Sequence, residues 1–360
     1  MRKLTNILVT GGAGFIGVNF IRFLLSGGSK TLKFDGRIIN LDALTYAGNA
    51  ASLSEIDEKF GGMRYFFEQG DICNGLFIEE IFRKYDIDTI VHFAAESHVD
   101  RSILGPEEFI KTNVLGTYTL LDCARNMWKN TQNVLFHHIS TDEVYGSLGK
   151  TGYFTETTPY DPHSPYSASK AASDHLAMSY YYTYGLPVTL SNCSNNYGPY
   201  QFPEKFIPLM ILNMLEGKPL PVYGDGKNIR DWLYVEDHCD AVWAIMQNGV
   251  AGEKYNIGGE NEWENIKLLD VLIDTVAKKT SCDVEKIRAL ITFVKDRPGH
   301  DRRYAIDCCK IKNMLGWRQS VNLEEGFERT VDWYTSNADW IESIRSGEYQ
   351  RWMEKNYRQR

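Results

Sequence analysis

Tyr166 and Lys170 stand four residues apart at the start of a stretch patterned as a helix, so both side chains fall on one face. Ser164 and Pro165 precede them, the residue types preferred at an N-cap and at a first helical position. An ammonium near a phenol favours the phenolate, so the pairing predicts a tyrosine pKa below its ordinary value of about 10. Such a phenolate suits a base that takes an alcohol proton as hydride leaves the same carbon. A second reactive cluster is Asp142-Glu143, inside Thr141-Asp142-Glu143-Val144-Tyr145-Gly146. Two carboxyl groups in different surroundings can divide base and acid work. Adjacent side chains on an extended segment point to opposite sides, so aiming both at one substrate requires a local bend.

Hydride chemistry needs a carrier, and the N-terminus offers a place for one. Gly11, Gly12, Gly14 and Gly17 follow a short apolar run and open a helical pattern. Glycines let the turn be tight and let the backbone approach a pyrophosphate, while the helix presents free N–H groups to the anion. Asp42 ends the next apolar run, 25 residues past Gly17, where about 20 is usual. The polar stretch Ser26–Gly36 accounts for the longer connection. A carboxylate there accepts bonds from ribose hydroxyls and repels a 2′-phosphate, which favours NAD over NADP. Asp71, followed by Ile72, either meets the adenine or caps a helix.

With these motifs in order, the chain resembles the extended short-chain dehydrogenase/reductase superfamily, in its sugar-nucleotide-modifying branch. The Thr141-Asp142-Glu143 motif makes it similar to the dTDP-glucose 4,6-dehydratase family; related epimerases usually carry small residues where the two acids stand. The resemblance implies C4 oxidation of dTDP-glucose by tightly bound NAD, loss of water across C5 and C6, and hydride return to C6. It makes Glu143 the base at C5, Asp142 the acid for the departing hydroxyl, and Thr141 a partner of O4 beside Tyr166. It places Gly11, Gly14, Phe15, Ile16, Gly17, Asp42, Ala43, Leu44, Thr45, Asp71 and Ile72 against NAD. Ala94, Ala95, Glu96 and Ser97, with Thr112, Tyr166, Lys170 and Asn196, complete that cofactor surface. For the sugar nucleotide it implies His98, Thr141, Asn195, Lys205 and Phe206. Pro221, Val222 and Tyr223 would lie beside the nucleotide, with Asn265 and His300 also in contact. Arg230 and Arg297 would meet the diphosphate, since guanidinium forks suit phosphate. No metal is implied. Relatives of this kind usually form homodimers, and Tyr180, Tyr181, Tyr182 and Tyr184 would suit such a face.

The elements that must position these residues alternate through the first half. Strands are predicted at Ile7–Thr10, Arg37–Asp42, Tyr65–Gly70, Thr89–Ala94, Val134–Ser140 and Val188–Cys193. Helices are predicted at Asn19–Leu25, Ile78–Tyr85, Asn113–Met127 and Tyr166–Tyr184. Continuous apolar strands separated by helices imply an α/β fold, a Rossmann-type doubly wound parallel sheet. Beyond Asn195 prolines interrupt the rhythm, and helical patterns return at Phe206–Glu216, Glu236–Gln247, Ile266–Lys278 and Leu323–Asn337. The expected division is an NAD-binding part over 1–194, with segments around 230–260 returning to it, and a smaller mixed α/β substrate-binding part over 195–360.

The 360 residues suffice for roughly two domains. With 39 basic against 47 acidic residues the net charge is −8, which excludes a general nucleic-acid binder. The basic tail Arg351–Arg360 is interrupted by an acid and aromatics. Seven cysteines without a CxxC pair argue against a disulfide framework and for a reducing cytoplasm. The run Ile7–Thr10 is too short for a signal peptide, and no segment is long enough to cross a membrane. Two other readings remain at this stage: an epimerase or a dehydratase for another nucleotide, and an NAD-binding protein without turnover.

Overall fold

The computed structural model describes residues 1–27, 34–129 and 131–345; the Arg351–Arg360 tail and part of the Ser26–Gly36 stretch lie outside them. The strands run β1 Asn6–Thr10, β2 Arg37–Asp42, β3 Tyr65–Gln69, β4 Thr89–His92, β5 Leu135–Thr141, β6 Val188–Cys193 and β7 Asn195–Tyr197. They continue as β8 Leu220–Tyr223, β9 Ile229–Tyr234, β10 Lys254–Ile257, β11 Glu262–Glu264 and β12 Ile291–Val294. Seven of them form one sheet in the order β10-β6-β5-β4-β1-β2-β3, all parallel. That is the doubly wound 3-2-1-4-5-6 order with a strand added at one edge. The added strand, β10, was not among the sequence-predicted strands.

Both faces of the sheet are covered, so its strands are buried on both sides, with several polar side chains such as Asn40, His137, His138 and Asn192 among the apolar ones. Val18 and Phe20 join Val242 and Trp243 in the core on one face. Ile78, Phe82, Leu120 and Ala177 pack on the other. A separate core of Met210, Leu268, Leu272 and Phe327 supports the part that carries β8 and β12. Among the described residues no helix is long and apolar enough to cross a membrane.

Two local expectations need correction. The helix predicted over Asn113–Met127 is two pieces: a widened π-helical stretch at Ile110–Gly116, then an α-helix at Thr117–Met127. The Asn113 side chain is buried within the widened stretch. It accepts from Glu96 N at 2.9 Å and donates to Glu96 O at 2.9 Å and Ser169 Oγ at 2.8 Å. Asp71 caps no helix; its Oδ1 accepts from Cys73 N at 2.9 Å, and Asn74 caps the helix Gly75–Tyr85.

The Tyr166 helix spans Pro165–Tyr184, with a reciprocal cap between Ser164 and Ser167. Each hydroxyl accepts the other residue's backbone N–H at 3.0 Å. Ser164→Ala removes half of this cap and should lower stability by about 1 kcal/mol. A urea midpoint indistinguishable from the parent's would contradict that assignment. Of the aromatic run, Tyr180 is buried, while Tyr182 is 74% and Tyr184 52% exposed.

Candidate active site

The glycine turn closes on the strand switch point between β1 and β4. Gly11 has φ +71°, and a Cβ there would lie 2.6 Å from Ala94 N. A Cβ on Gly17 would lie 2.2 Å from Gly11 O. Gly14 caps the helix Phe15–Ser26 without any side-chain hydrogen bond, and the first turn holds no acid. The first-turn amides of Phe15, Ile16 and Gly17 therefore lack intrahelical acceptors. Asp42, at the end of β2, ties this turn to the next loop: its carboxylate accepts from Ala13 N at 2.9 Å and Leu44 N at 2.8 Å. Burial raises the Asp42 pKa, and the two backbone bonds partly offset it. A cradle that a Cβ would fill, free amides and an acidic strand end together fit a dinucleotide. Gly17→Ala should abolish NAD retention, because its methyl group collides with backbone that has no room to move. An alanine variant purified with the parent's NAD content would refute this.

The segment after β4 crosses the cleft and is held from both sides. Asn113 fixes the backbone of Glu96, and Lys205 Nζ donates to Ser97 O at 3.0 Å. His98 is buried and caps a short helix through Arg101 N. Burial, helped by Lys205, Arg297 and Arg101, holds His98 well below the usual histidine range. Thr112, expected against the cofactor, is half-buried in the π-helical stretch; its neighbour Asn113 makes the contacts to the segment.

At the end of β5 the chain makes the required bend. Thr141 is extended, and Asp142–Tyr145 form a tight 3₁₀ turn. Glu143 N donates to Thr141 Oγ1 at 3.3 Å, and the Thr141 hydroxyl is close enough to Tyr166 to favour its phenolate. Asp142 is 2% exposed; its Oδ1 accepts from Thr141 Oγ1, and its Oδ2 is buried without a partner. Burial, then the charge of Glu143, pushes the Asp142 pKa well above the carboxylate range. Burial also raises Glu143, but Arg297, Arg230 and Lys205 pull it back. The two acids therefore sit in different electrostatic settings although they are adjacent in sequence.

Tyr166 and Lys170 are both buried, and Lys170 Nζ donates to Ile139 O at 2.8 Å. The expected lowering of the tyrosine pKa is not what the protein's own groups produce. Burial first, then Glu143 across the bend, raises it well above 10. Burial also lowers the Lys170 pKa, although Asp174 opposes this.

Across the cleft, Asn195, Asn196 and Asn265 each hold a buried Oδ1 without a hydrogen-bond partner, as Arg297 does at Nε. Arg230 is 5% exposed. It donates to Ile229 O at 2.7 Å and Asp301 O at 2.9 Å, and lies 4.2 Å over the Tyr304 ring. Phe206 opens the helix Phe206–Glu216 after Lys205. Pro221, Val222 and Tyr223 lie in β8, paired with β12. The Val222 side chain belongs to the second core, so only its backbone can face a ligand. Tyr223 donates to Asp100 Oδ2 at 3.2 Å, and its ring meets His300 edge-on. Burial, with Arg297 and Arg230, pushes His300 down to about 4. Glu204 was missed by sequence reasoning. It is buried, accepts from the Tyr46 hydroxyl at 3.0 Å, and burial pushes it up to about 7. Its place beside Lys205 was the available signal. Among the described residues no group of His, Cys, Asp and Glu could hold a metal ion.

The chain matches the family described as GDP-mannose 4,6 dehydratase over residues 8–330. It is 53% identical to the dTDP-glucose 4,6-dehydratase of Salmonella typhimurium, over 98% of each chain. The chain belongs to the dTDP-glucose 4,6-dehydratase family. A family structure from Streptomyces venezuelae, solved with NAD bound, is 46% identical with a TM-score of 0.86, covering 95% of this chain and 100% of that one. A UDP-glucose 4-epimerase from Thermotoga maritima shares the fold at a TM-score of 0.80 and 29% identity, over 92% of this chain and 99% of that one. Family membership thus agrees with the motif at 141–143, where the epimerase reading had no place for two acids.

Proposed function

We propose that the chain is an NAD-dependent hydro-lyase converting dTDP-glucose to dTDP-4-dehydro-6-deoxyglucose and water, a step toward deoxysugars such as rhamnose. The observation that carries this reading is the split setting of Asp142 and Glu143 on one bend beside Tyr166. When bound, NAD supplies the hydride acceptor for C4, the donor for C6, and a positive ring charge. The protein's residues handle the protons. Tyr166, as the phenolate that Lys170 and the positive ring charge of bound NAD would favour, takes the O4 proton, with Thr141 holding that oxygen. Glu143 takes the C5 proton once the C4 ketone has made it acidic, and C5 regains a proton when hydride returns to C6. Asp142, kept protonated by burial, gives its proton to the departing C6 hydroxyl, which leaves as water. Lys170 supplies positive charge below the phenol. Arg297 and Arg230 neutralise the diphosphate end, and the orphan amide oxygens of Asn195 and Asn265 accept sugar or base donors.

The cofactor work is assigned to residues 1–194 with the strand at 254–257, and the nucleotide work mainly to the remainder. Incubation of NAD-loaded protein with dTDP-, UDP- and GDP-glucose tests the reading. The base-treated 4-keto chromophore should develop with dTDP-glucose; none from fully loaded protein would overturn it.

We also propose a homodimer in the cytoplasm. Tyr118 on the helix Thr117–Met127 and Tyr182 and Tyr184 on the Tyr166 helix are exposed apolar residues, on two helices that pack together. All seven cysteines are free thiols, as a reducing compartment requires. A monomer by light scattering at micromolar concentration would defeat the dimer.

A further inference from the structure

The helix Ala338–Ile344 is remote in sequence from every residue used so far, yet it lies on the loop that follows Asp42. Trp340 Nε1 donates to Ser52 Oγ at 2.8 Å. Asn49 Nδ2 donates to Ser343 Oγ at 3.3 Å, and Asn49 N donates to Ala13 O in the glycine turn at 3.0 Å. Ile344 and Phe202 form a small apolar cluster with Tyr46, Ala47 and Trp340. The helix therefore grips the 42–52 loop at three points, one of them a single residue from the phosphate turn.

The same helix also holds the far side of the cleft. Trp340, together with Trp333 from the preceding helix Leu323–Ser336, packs around the Tyr200 ring at 5.8 and 4.6 Å, and the Arg22 guanidinium lies 5.1 Å over it. Tyr200 has φ +65°, a conformation that a side chain with a Cβ resists. Such a conformation persists where the surroundings over-determine it. Two residues on, Phe202 meets Tyr46 edge-on at 5.7 Å, and the Arg101 guanidinium covers the Tyr46 face at 3.5 Å. The 42–52 loop and the 199–204 segment are thereby held against one element, and Arg22 ties the glycine-turn helix to Tyr200.

We infer that the Ala338–Ile344 helix is a cofactor-retention brace, with Trp340 its positioning residue. It keeps the 42–52 loop closed beside the adenosine end of NAD, so that the dinucleotide stays bound from one turnover to the next. This rests on the NAD reading above. The reaction returns its hydride to the sugar, so nothing requires the cofactor to leave, and slow release is an advantage. Loop opening would be the release step, and contacts that hold the loop set its frequency.

The test measures NAD per chain after purification, and the rate at which bound NAD exchanges with an added NAD analogue. Holoenzyme, Trp340→Ala and Ser52→Ala are compared, with circular dichroism to confirm folding. Trp340→Ala should exchange about ten-fold faster, an ordinary coupling between distant contacts. Ser52→Ala, which removes one acceptor and leaves the aromatic cluster intact, should exchange a few-fold faster, and it carries the test if Trp340→Ala does not fold. Activity lost by Trp340→Ala on dilution should return on adding NAD. Exchange at the wild-type rate in a folded variant overturns the brace. A wild-type chain that takes up no NAD overturns the cofactor reading instead.

Discussion

Tyr166→Phe should lose about 10²–10⁴-fold in kcat, the usual weight of a positioned proton-transfer group. The substitution removes one oxygen and keeps the ring. Phenylalanine fills the same buried space, and the nearby Thr141 hydroxyl retains its contacts to Asp142 and Glu143. The glycine turn and Asp42 do not depend on the phenol, so the variant should purify with its NAD. KM for dTDP-glucose should change far less than kcat, since the proton transferred matters only on the way to the transition state. The measurement is initial rate of 4-keto product alongside NAD content. A near-parental rate would remove Tyr166 from the chemistry.

Glu143→Gln should stop elimination to a similar extent, about 10²–10⁴-fold, and it separates the two acids. The amide cannot take the C5 proton, but it keeps the size of the side chain. In heavy water the parent should place solvent deuterium in its product, and the variant's residual turnover should reveal the lost step. Processing at the parental rate would end the assignment of Glu143 as base. The pH dependence follows from the same burial. Glu143 works deprotonated, and burial raises its pKa, so the acid limb of kcat should lie above the ordinary carboxylate range. Stability has the opposite sign. A buried carboxyl with a raised pKa binds more protons folded than unfolded, so it favours folding at low pH and opposes it above its folded pKa. The neutral glutamine should therefore raise the melting temperature at neutral pH while activity falls, a trade seen at many active sites.

Several elements were legible because their signals are local. β2 and β6 have the predicted bounds, since each short run carries apolar and β-branched residues of the kind that strands favour. Ser164 and Pro165 marked the start of the Tyr166 helix for the same kind of reason. β10 escaped because Lys-Tyr-Asn-Ile carries a buried asparagine whose partners, the Phe154 carbonyl and the Tyr145 hydroxyl, come from far along the chain. Asn113 was hidden inside an acceptable helical pattern, and its role exists only once Glu96 and Ser169 are brought to it. The sign of the Tyr166 shift failed for a related reason. Lys170 is near along the helix and visible in the spacing, whereas Glu143 arrives through the bend at 142–145 and the burial of the phenol exists only in the folded chain. Tyr46 and Trp340 carried no motif, because their partners lie far away in the chain.

The late return of the chain to the sheet has a consequence for biosynthesis. β6 ends at Cys193, and its outer neighbour β10 ends at Ile257. At about 5–20 residues per second, a ribosome needs roughly 3–13 s to make the intervening stretch. For that time β6 is the edge strand of the nascent sheet, and its backbone, which β10 later covers as the new and shorter edge, is open to strands of separate molecules. Newly made chains should therefore be most prone to aggregate, and most in need of chaperone cover, in the window between those two strands.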